Sequence, residues 1–122
     1  MKITLKEVRI LEKSLFKVTQ LELPIGISYR LARLLKSCLD EIFLLEKSRL
    51  ELVKKYGEPS PNKEEQLVVK EENEGKFKAE IEMLLEETVD IQIKPFSVEE
   101  LGDINISAVD MMGLLPIIKE DN

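Results

Sequence analysis

The chain of 122 residues contains no histidine and no tryptophan, and it has a single cysteine, Cys38. Histidine is the usual general base near neutral pH, so its absence removes Ser-His and Cys-His nucleophiles together with most zinc sites. One cysteine cannot form an intramolecular disulfide, which favours a reducing compartment. We therefore expect no catalytic residue, no metal site and no cofactor, and a protein that is not an enzyme.

Long apolar runs are also missing. The longest, at 111–118, spans eight residues and contains Gly113 and Pro116, so it is far too short to cross a bilayer. Charged residues near the N-terminus occupy positions where a signal peptide needs apolar ones. We expect a cytoplasmic protein that has no membrane partner.

The charges that are present are divided unevenly along the chain. Residues 1–57 include 12 basic and 7 acidic residues, a net charge of +5, whereas residues 58–122 include 6 basic and 17 acidic residues, a net charge of −11. A length of 122 residues suits one domain that buries a core without disulfides or metal. We predict a single domain, 1–122, with a basic helical part at 1–57 and an acidic mixed part at 58–122.

The N-terminal segment carries the signals of a helix. Thr4 and Glu7 can form a capping box, in which each side chain bonds the other residue's backbone amide. Apolar residues then recur at helical spacing and define one face: Leu5, Val8, Leu11, Leu15 and Val18. Basic residues on the opposite side are typical of a solvated face, with a phosphate-facing stripe as the alternative.

A much longer helix is predicted from about Ile27 to Tyr56. Residues 24–26 separate it from the first helix, and Gly57 is expected to end it in a left-handed conformation. About 30 residues at 1.5 Å each give a rod of about 45 Å, longer than a domain of this size is wide. Three large apolar residues widen its apolar stripe to about half the circumference: Leu39, Phe43 and Leu50. We predict a homo-oligomer with these three residues in its interface.

The sequence of the acidic half predicts several short helices and strands. Period-two alternation, helical spacing and two further capping patterns place these elements. The candidate strands are 66–70, 89–94 and 104–106, and the candidate short helices begin near Asn73, Ser97 and Ser107. The predicted fold class is therefore α+β, with an N-terminal helical hairpin built on one long helix, a small, mostly antiparallel sheet and short C-terminal helices.

A cluster of cations lies beside an aromatic residue at the start of the long helix. It consists of Tyr29, Arg30, Arg33 and Lys36 within two helical turns. Cations next to an aromatic ring and a helix N-terminus can hold a phosphate or stack a base. The alternative is an exposed polar face without a ligand. These four residues are the first candidates for ligand binding.

Arg49 is the fifth candidate, because it lies at the centre of the apolar stripe, where an unpaired charge is costly. It is expected to pair with Glu46 or with a carboxylate of the acidic half such as Glu82 or Glu86, or else to face a ligand in an oligomer interface. Cys38 lies in the same stripe and is expected to be a buried, inert thiol.

A resemblance to a known class of proteins rests on two stretches of the long helix and on a later pattern of residues. The stretches are 29–36 and 46–57, and the later pattern comprises Phe77, 81–85, 89–91, Leu101 and 106–110. Together these residues resemble a class of small proteins of unknown function encoded by tailed bacteriophages and prophages. The shared motifs are packing and capping patterns, so no functional residue is carried over. Pro116 departs from the class, where an uninterrupted helical end is expected.

Two functional hypotheses follow. The resemblance implies a phage origin, and the missing histidine favours binding over catalysis. The first hypothesis is a non-enzymatic phage protein that sequesters a host factor in the bacterial cytoplasm, either a protein or a nucleotide signal of antiviral defence. The second is a virion structural or assembly protein that self-associates through its helical face. Mimicry of DNA by the acidic half is disfavoured because lysines interrupt its surface, and direct binding of nucleic acid is not expected.

Overall fold

A computed structural model describes residues 1–59 and 67–119 as helices accompanied by two pairs of short strands. The strands are β1 (Lys2–Thr4), β2 (Gly57–Pro59), β3 (Leu67–Val69) and β4 (Thr88–Asp90), and the helices are α1 (Leu5–Val18), α2 (Ile25–Tyr56), α3 (Glu74–Leu85), α4 (Val98–Leu101) and α5 (Ala108–Leu114). Single 3-10 turns at Glu71–Asn73 and Leu115–Ile117 precede α3 and follow α5. This arrangement confirms the predicted α+β fold, in which α1 and α2 form the helical hairpin.

The first helix begins as its capping box predicts. The Glu7 N–H donates to Thr4 Oγ1, and the Thr4 N–H donates to Glu7 Oε1, each at 3.1 Å. All five apolar residues predicted for the inner face of α1 are buried. Local capping and a 3.6-residue apolar period therefore suffice to define this helix.

The strand that precedes α1 was not predicted, and it is only three residues long. β1 pairs antiparallel with β4, so that Ile3 lies opposite Val89. The strand predicted at 89–94 is consequently shorter and begins one residue earlier, at Thr88. Ile104 and Ile106 do not form the predicted edge strand. They lie in an irregular segment and pack, partly buried, against the core.

The ends of α2 both differ from the sequence prediction. The helix begins at Ile25, two residues early, because Pro24 acts as the N-cap and holds the extended backbone that precedes a helix. Gly57 is not left-handed, since its φ of −97° and ψ of 169° are extended, and it begins β2 opposite Val69. A Cβ at residue 57 would overlap the carbonyl oxygen of Val53. Glycine is required here for close approach of the chain to the helix end.

β3 and the helix after it follow the prediction closely, whereas β2 was not predicted. β2 pairs antiparallel with β3, which lies within the predicted strand at 66–70, of which Gln66 is outside the described residues. α3 begins one residue after Asn73. Phe77, Ile81, Leu84 and Leu85 are half-buried, whereas Met83 is exposed, and α3 has no fully buried residue. It therefore covers the distal part of α2 without extending the core.

The core lies where α1, the first two-thirds of α2, α5 and the segment 91–101 meet. The largest fully buried side chain is that of Phe96. Its backbone N–H donates to the Ile117 carbonyl at 2.8 Å, and its carbonyl accepts from the Lys119 N–H at 2.6 Å. The buried residues of α2 are Leu31, Leu34, Cys38 and Leu45, and none follows Leu45. The distal third of α2 therefore extends beyond the core.

No helix within the described ranges is both long enough and apolar enough to span a membrane. This includes α2, whose 32 residues contain charges throughout.

Candidate functional site

The candidate site is a cleft of about 350 Å³ between residues 30–37 of α2 and the segment that follows β4. This volume is at the small end of the range for small-molecule sites. The lining residues are Arg30, Arg33, Leu34, Ser37, Gln92, Ile93, Lys94 and Phe96. Three of them are cations, and no carboxylate is found among the described lining residues. We call this site the basic cleft.

Two local patterns build the basic cleft. On α2, the lining residues recur three and four positions apart, which places them on one face of the helix. After β4 the chain is no longer a strand, but buried and exposed residues still alternate: Ile91 is buried, while Gln92 and Lys94 are exposed. The buried ring of Phe96 ends this segment and closes the base of the cleft.

Arg30 holds the two walls of the basic cleft together. Its Nη2 donates to the carbonyls of Lys94 at 3.0 Å and Pro95 at 3.2 Å, and its guanidinium lies 4.1 Å from the centroid of the Phe96 ring. Its Nη1 forms an ion pair with Glu100. The Nε atom is buried and has no hydrogen-bond partner within the described structure. Two hydrogen bonds and the stacking on Phe96 therefore allow Arg30 to fix the segment 94–96 against α2.

Glu100 connects this clamp to the start of α4. The Ser97 N–H donates to Glu100 Oε1 at 3.3 Å, and the Glu100 N–H donates to Ser97 Oγ at 3.1 Å, which forms the predicted capping box. The hydrogen bond from Arg30, and then that from the Ser97 backbone, hold the pKa of Glu100 below its usual value. The carboxylate stays ionised and neutralises Arg30.

The uncompensated charge of the basic cleft comes from Arg33 and Lys94. Both side chains belong to exposed residues, and neither forms an ion pair with a described residue. The Arg33 guanidinium lies 5.8 Å from the centroid of the Tyr29 ring, a cation–π contact worth about 0.5–1 kcal/mol at an exposed site. An anion in the cleft would thus meet two cations from different elements.

The four candidate ligand-binding residues at the start of α2 do not all lie in the basic cleft. The structure places Arg30 and Arg33 in the basic cleft and leaves Tyr29 beside it, in contact with Arg33. Lys36 is outside the cleft, where its Nζ pairs with Asp40 Oδ2 at 3.2 Å. Sequence reasoning missed Lys94, although the alternation over 89–94 already places it on the polar face of that segment.

Arg49 does not belong to the basic cleft. It follows Arg33 by 16 residues, about 24 Å along the helix. Its Nε donates to Glu46 Oε2 at 3.0 Å, which confirms the predicted i−3 pair. The expectation that Arg49 is buried was wrong: its side chain is 44% exposed, because this part of α2 extends beyond the core.

The single cysteine is inert in this fold. Cys38 is fully buried on α2, and burial, followed by the charges of Glu12 and Glu41, raises the pKa of its thiol to about 11. It is therefore neutral at physiological pH and a poor nucleophile. Within residues 1–59 and 67–119, no group of acidic and cysteine side chains is arranged to hold a metal ion.

A second surface runs along the outer side of α2. Its residues alternate four and three positions apart, and we call them the outer seam: Ile25, Tyr29, Ala32, Lys36, Leu39, Phe43, Glu46 and Leu50. It contains Leu39, Phe43 and Leu50, the three residues that widen the apolar stripe in the sequence and were predicted to lie in a homo-oligomer interface. They lie about 140° around the helix from the buried residues and are 45%, 70% and 50% exposed.

Comparisons of the chain with known protein families, with curated proteins and with solved structures found no match. The resemblance to phage proteins therefore stays a prediction, and a function has to be argued from the geometry of the two surfaces.

Proposed function

We propose that the protein is a non-enzymatic binding protein that sequesters a small phosphorylated ligand, such as a nucleotide signal, in the basic cleft. The observation that supports this is the convergence of Arg33 from α2 and Lys94 from the segment after β4 on one cleft that has no carboxylate among its described lining residues. Two cations that approach one cleft from different elements suit a phosphate group, since charge-assisted hydrogen bonds are strong and directional.

The remaining lining fits the rest of such a ligand. Leu34 and Ile93 provide apolar surface on opposite walls, and Ser37 and Gln92 provide neutral hydrogen-bonding groups. Small-molecule sites commonly combine mostly apolar walls with a few polar groups that fix orientation. The clamp made by Arg30 keeps the two walls in place before a ligand binds, which reduces the ordering cost of binding.

The side chains of the basic cleft favour binding of a ligand over catalysis. The chain has no histidine, and the guanidinium groups in the cleft do not release protons at neutral pH. Ser37 donates its hydroxyl to the Arg33 carbonyl at 3.2 Å and has no adjacent base among the described residues. A group that cannot gain or lose a proton near pH 7 is a poor general acid or base.

The biological setting is part of the same proposal. The resemblance to phage proteins supports an origin in a bacteriophage or prophage, and a sequestering protein would then remove a host signal of antiviral defence in the bacterial cytoplasm. The basic cleft supports a nucleotide in preference to a host protein, because its volume is that of a small-molecule site.

Calorimetry against a panel of cyclic and linear nucleotides tests the proposal. We expect Arg33→Glu and Lys94→Glu each to weaken binding at least tenfold, about 1.4 kcal/mol, and we expect binding to weaken with added salt. Arg9→Glu is the matched control, because Arg9 is an exposed arginine on α1 outside the cleft. The proposal fails if no nucleotide binds the wild type at millimolar concentration, or if Arg9→Glu has the same effect as Arg33→Glu.

A second candidate function is virion structure or assembly through self-association, and the outer seam is the observation that favours it. Five of its residues are large apolar side chains between 45% and 87% exposed: Ile25, Tyr29, Leu39, Phe43 and Leu50. Detection of the protein in purified phage particles would support this role, and its absence from particles despite abundant early expression would contradict it.

A further inference from the structure

The outer seam has the repeat of a coiled-coil interface. Its members alternate four and three residues apart from Ile25 to Leu50, so that every second member lies seven residues further on, which is the repeat that keeps one side of a helix against a partner helix. The seam faces away from the core, and its apolar members remain exposed in the protomer. Six of the eight members are apolar or aromatic, and the two exceptions are Lys36 and Glu46.

We propose that the outer seam is the interface of an antiparallel, two-fold symmetric dimer of this chain, with its axis at residue 41. The two charged members have opposite signs and lie equally far from residue 41 in sequence. Antiparallel pairing about that residue places Lys36 opposite Glu46 of the partner subunit, twice per dimer. Leu39 then faces Phe43 of the partner subunit at the centre, and Ala32 faces Leu50 of the partner subunit.

The other alignments of the seam are less favourable. A parallel, in-register pair places each Lys36 against Lys36 of the partner subunit and each Glu46 against its own copy, so both charged layers repel. Moving the antiparallel axis by half a heptad toward the C-terminus sets Glu46 against Phe43 of the partner subunit. Moving it toward the N-terminus sets Lys36 against Leu39 of the partner subunit. Both shifts bury a charge against an apolar side chain.

The pairs made within the protomer are weak competitors. Lys36 bonds Asp40 at 3.2 Å, and Glu46 bonds Arg49 at 3.0 Å. Exposed pairs three or four residues apart on a helix contribute only about 0.3–0.5 kcal/mol. Between apolar layers the attraction of Lys36 to Glu46 of the partner subunit is less screened by water, which offsets part of the cost of desolvating the two charges. The charged seam residues can exchange partners on dimerisation at small cost.

The size of the seam predicts a modest affinity. It is roughly 40 Å long and 10 Å wide, on the order of 400 Å² on each protomer, about half of what a standard interface buries per partner. We therefore expect dissociation in the micromolar range. This inference specifies the surface of self-association and does not rest on the ligand proposed for the basic cleft.

Sedimentation equilibrium of the full chain across the micromolar range tests the dimer. We expect a reversible dimer for the wild type and a monomer for Phe43→Glu, since a charge would then stand at the centre of the interface. Leu44→Glu is the matched control: Leu44 is adjacent, 56% exposed and outside the seam, and its variant should dimerise like the wild type. A monomeric wild type, or equal loss of the dimer in both variants, overturns the proposal.

The orientation is tested by disulfide formation between introduced cysteines. Ala32→Cys and Leu50→Cys should cross-link only when the two variants are mixed, because each residue faces the other in the antiparallel register. The native thiol of Cys38 is buried and should not compete. Efficient cross-linking of either variant with itself would show a parallel pair and overturn the register. Because calorimetry reports ligand binding separately, failure of the dimer leaves the test of the basic cleft intact.

Discussion

Replacing Gly113 with alanine is expected to destabilise the protein through the contact between α5 and α1. Gly113 is buried, and a Cβ there would overlap Ser14 Oγ while lying 3.0 Å from Ser14 Cβ and 3.4 Å from the Ile10 carbonyl oxygen. Ser14 is itself only 5% exposed, so its side chain has little room to move away. The added methyl group must therefore separate the two helices or force Ser14 into another rotamer.

Two opposing effects set the change in the free energy of unfolding that Gly113→Ala causes. Overpacking a core typically costs about 1–3 kcal/mol, whereas alanine is favoured over glycine inside a helix by about 1 kcal/mol. Because the backbone of α1 limits any retreat of Ser14, we expect the packing term to win, with a net loss of about 1–2 kcal/mol in the free energy of unfolding. For a domain of this size that corresponds to a decrease of roughly 4–8 °C in Tm.

Urea and thermal unfolding followed by circular dichroism measure this change. Ser14→Gly introduced into Gly113→Ala should recover much of the loss, because it removes the Cβ and the hydroxyl that the new methyl group meets. The double-mutant cycle should then show a coupling of about 1 kcal/mol or more. Gly75→Ala is the control, since a Cβ at Gly75 has no neighbour within 4 Å. A stable Gly113→Ala variant, or additive effects in the cycle, would refute the close approach of the two helices.

Gly57, Cys38 and Glu100 each carry a further test of the structure. Gly57→Ala should destabilise more than Gly113→Ala in the same unfolding assays, because its Cβ meets the backbone oxygen of Val53 rather than a side chain that can rotate. The buried thiol of Cys38 should react with iodoacetamide at pH 8 only after unfolding. Since its pKa is raised from 9.0 to about 11 in the fold, stability should fall as pH rises above about 9, where only the unfolded thiol ionises. The hydrogen bond from Arg30 lowers the pKa of Glu100. The stability that Glu100 contributes is therefore present at neutral pH and is lost as the pH falls through the folded pKa. Glu100→Gln should flatten that part of the acid unfolding profile.

The helices were predictable because their signals are local. The capping box of Thr4 and Glu7, the second box at 97–100 and the apolar period of α1 each need only a few neighbouring residues. β1 could not be predicted, because its three residues become a strand only by pairing with β4, more than 80 residues away. The same reason applies to Lys94, whose place in the basic cleft depends on the contacts of Arg30 with the 94–96 backbone.

The apolar surface of α2 shows a different limit of sequence reasoning. Hydrophobic periodicity identifies apolar residues on a helix, but it does not say which of two apolar stripes faces the core. Leu34 and Cys38 are buried in the core cluster, whereas Phe43 lies on the outer side. Arg49 was misplaced for a related reason, since the apolar stripe continues past the point where the core ends at Leu45.

The two surfaces approach each other at Arg33, and this affects how their variants are interpreted. Arg33 lines the basic cleft, yet its guanidinium contacts the ring of Tyr29, a member of the outer seam. Arg33→Glu would therefore disturb ligand binding directly and the seam through the lost cation–π contact. Lys94 lies off α2 and has no contact of this kind among the described residues, so Lys94→Glu separates the cleft from the seam. Phe43 lies 10 residues, about 15 Å, beyond Arg33, which makes Phe43→Glu specific to the seam.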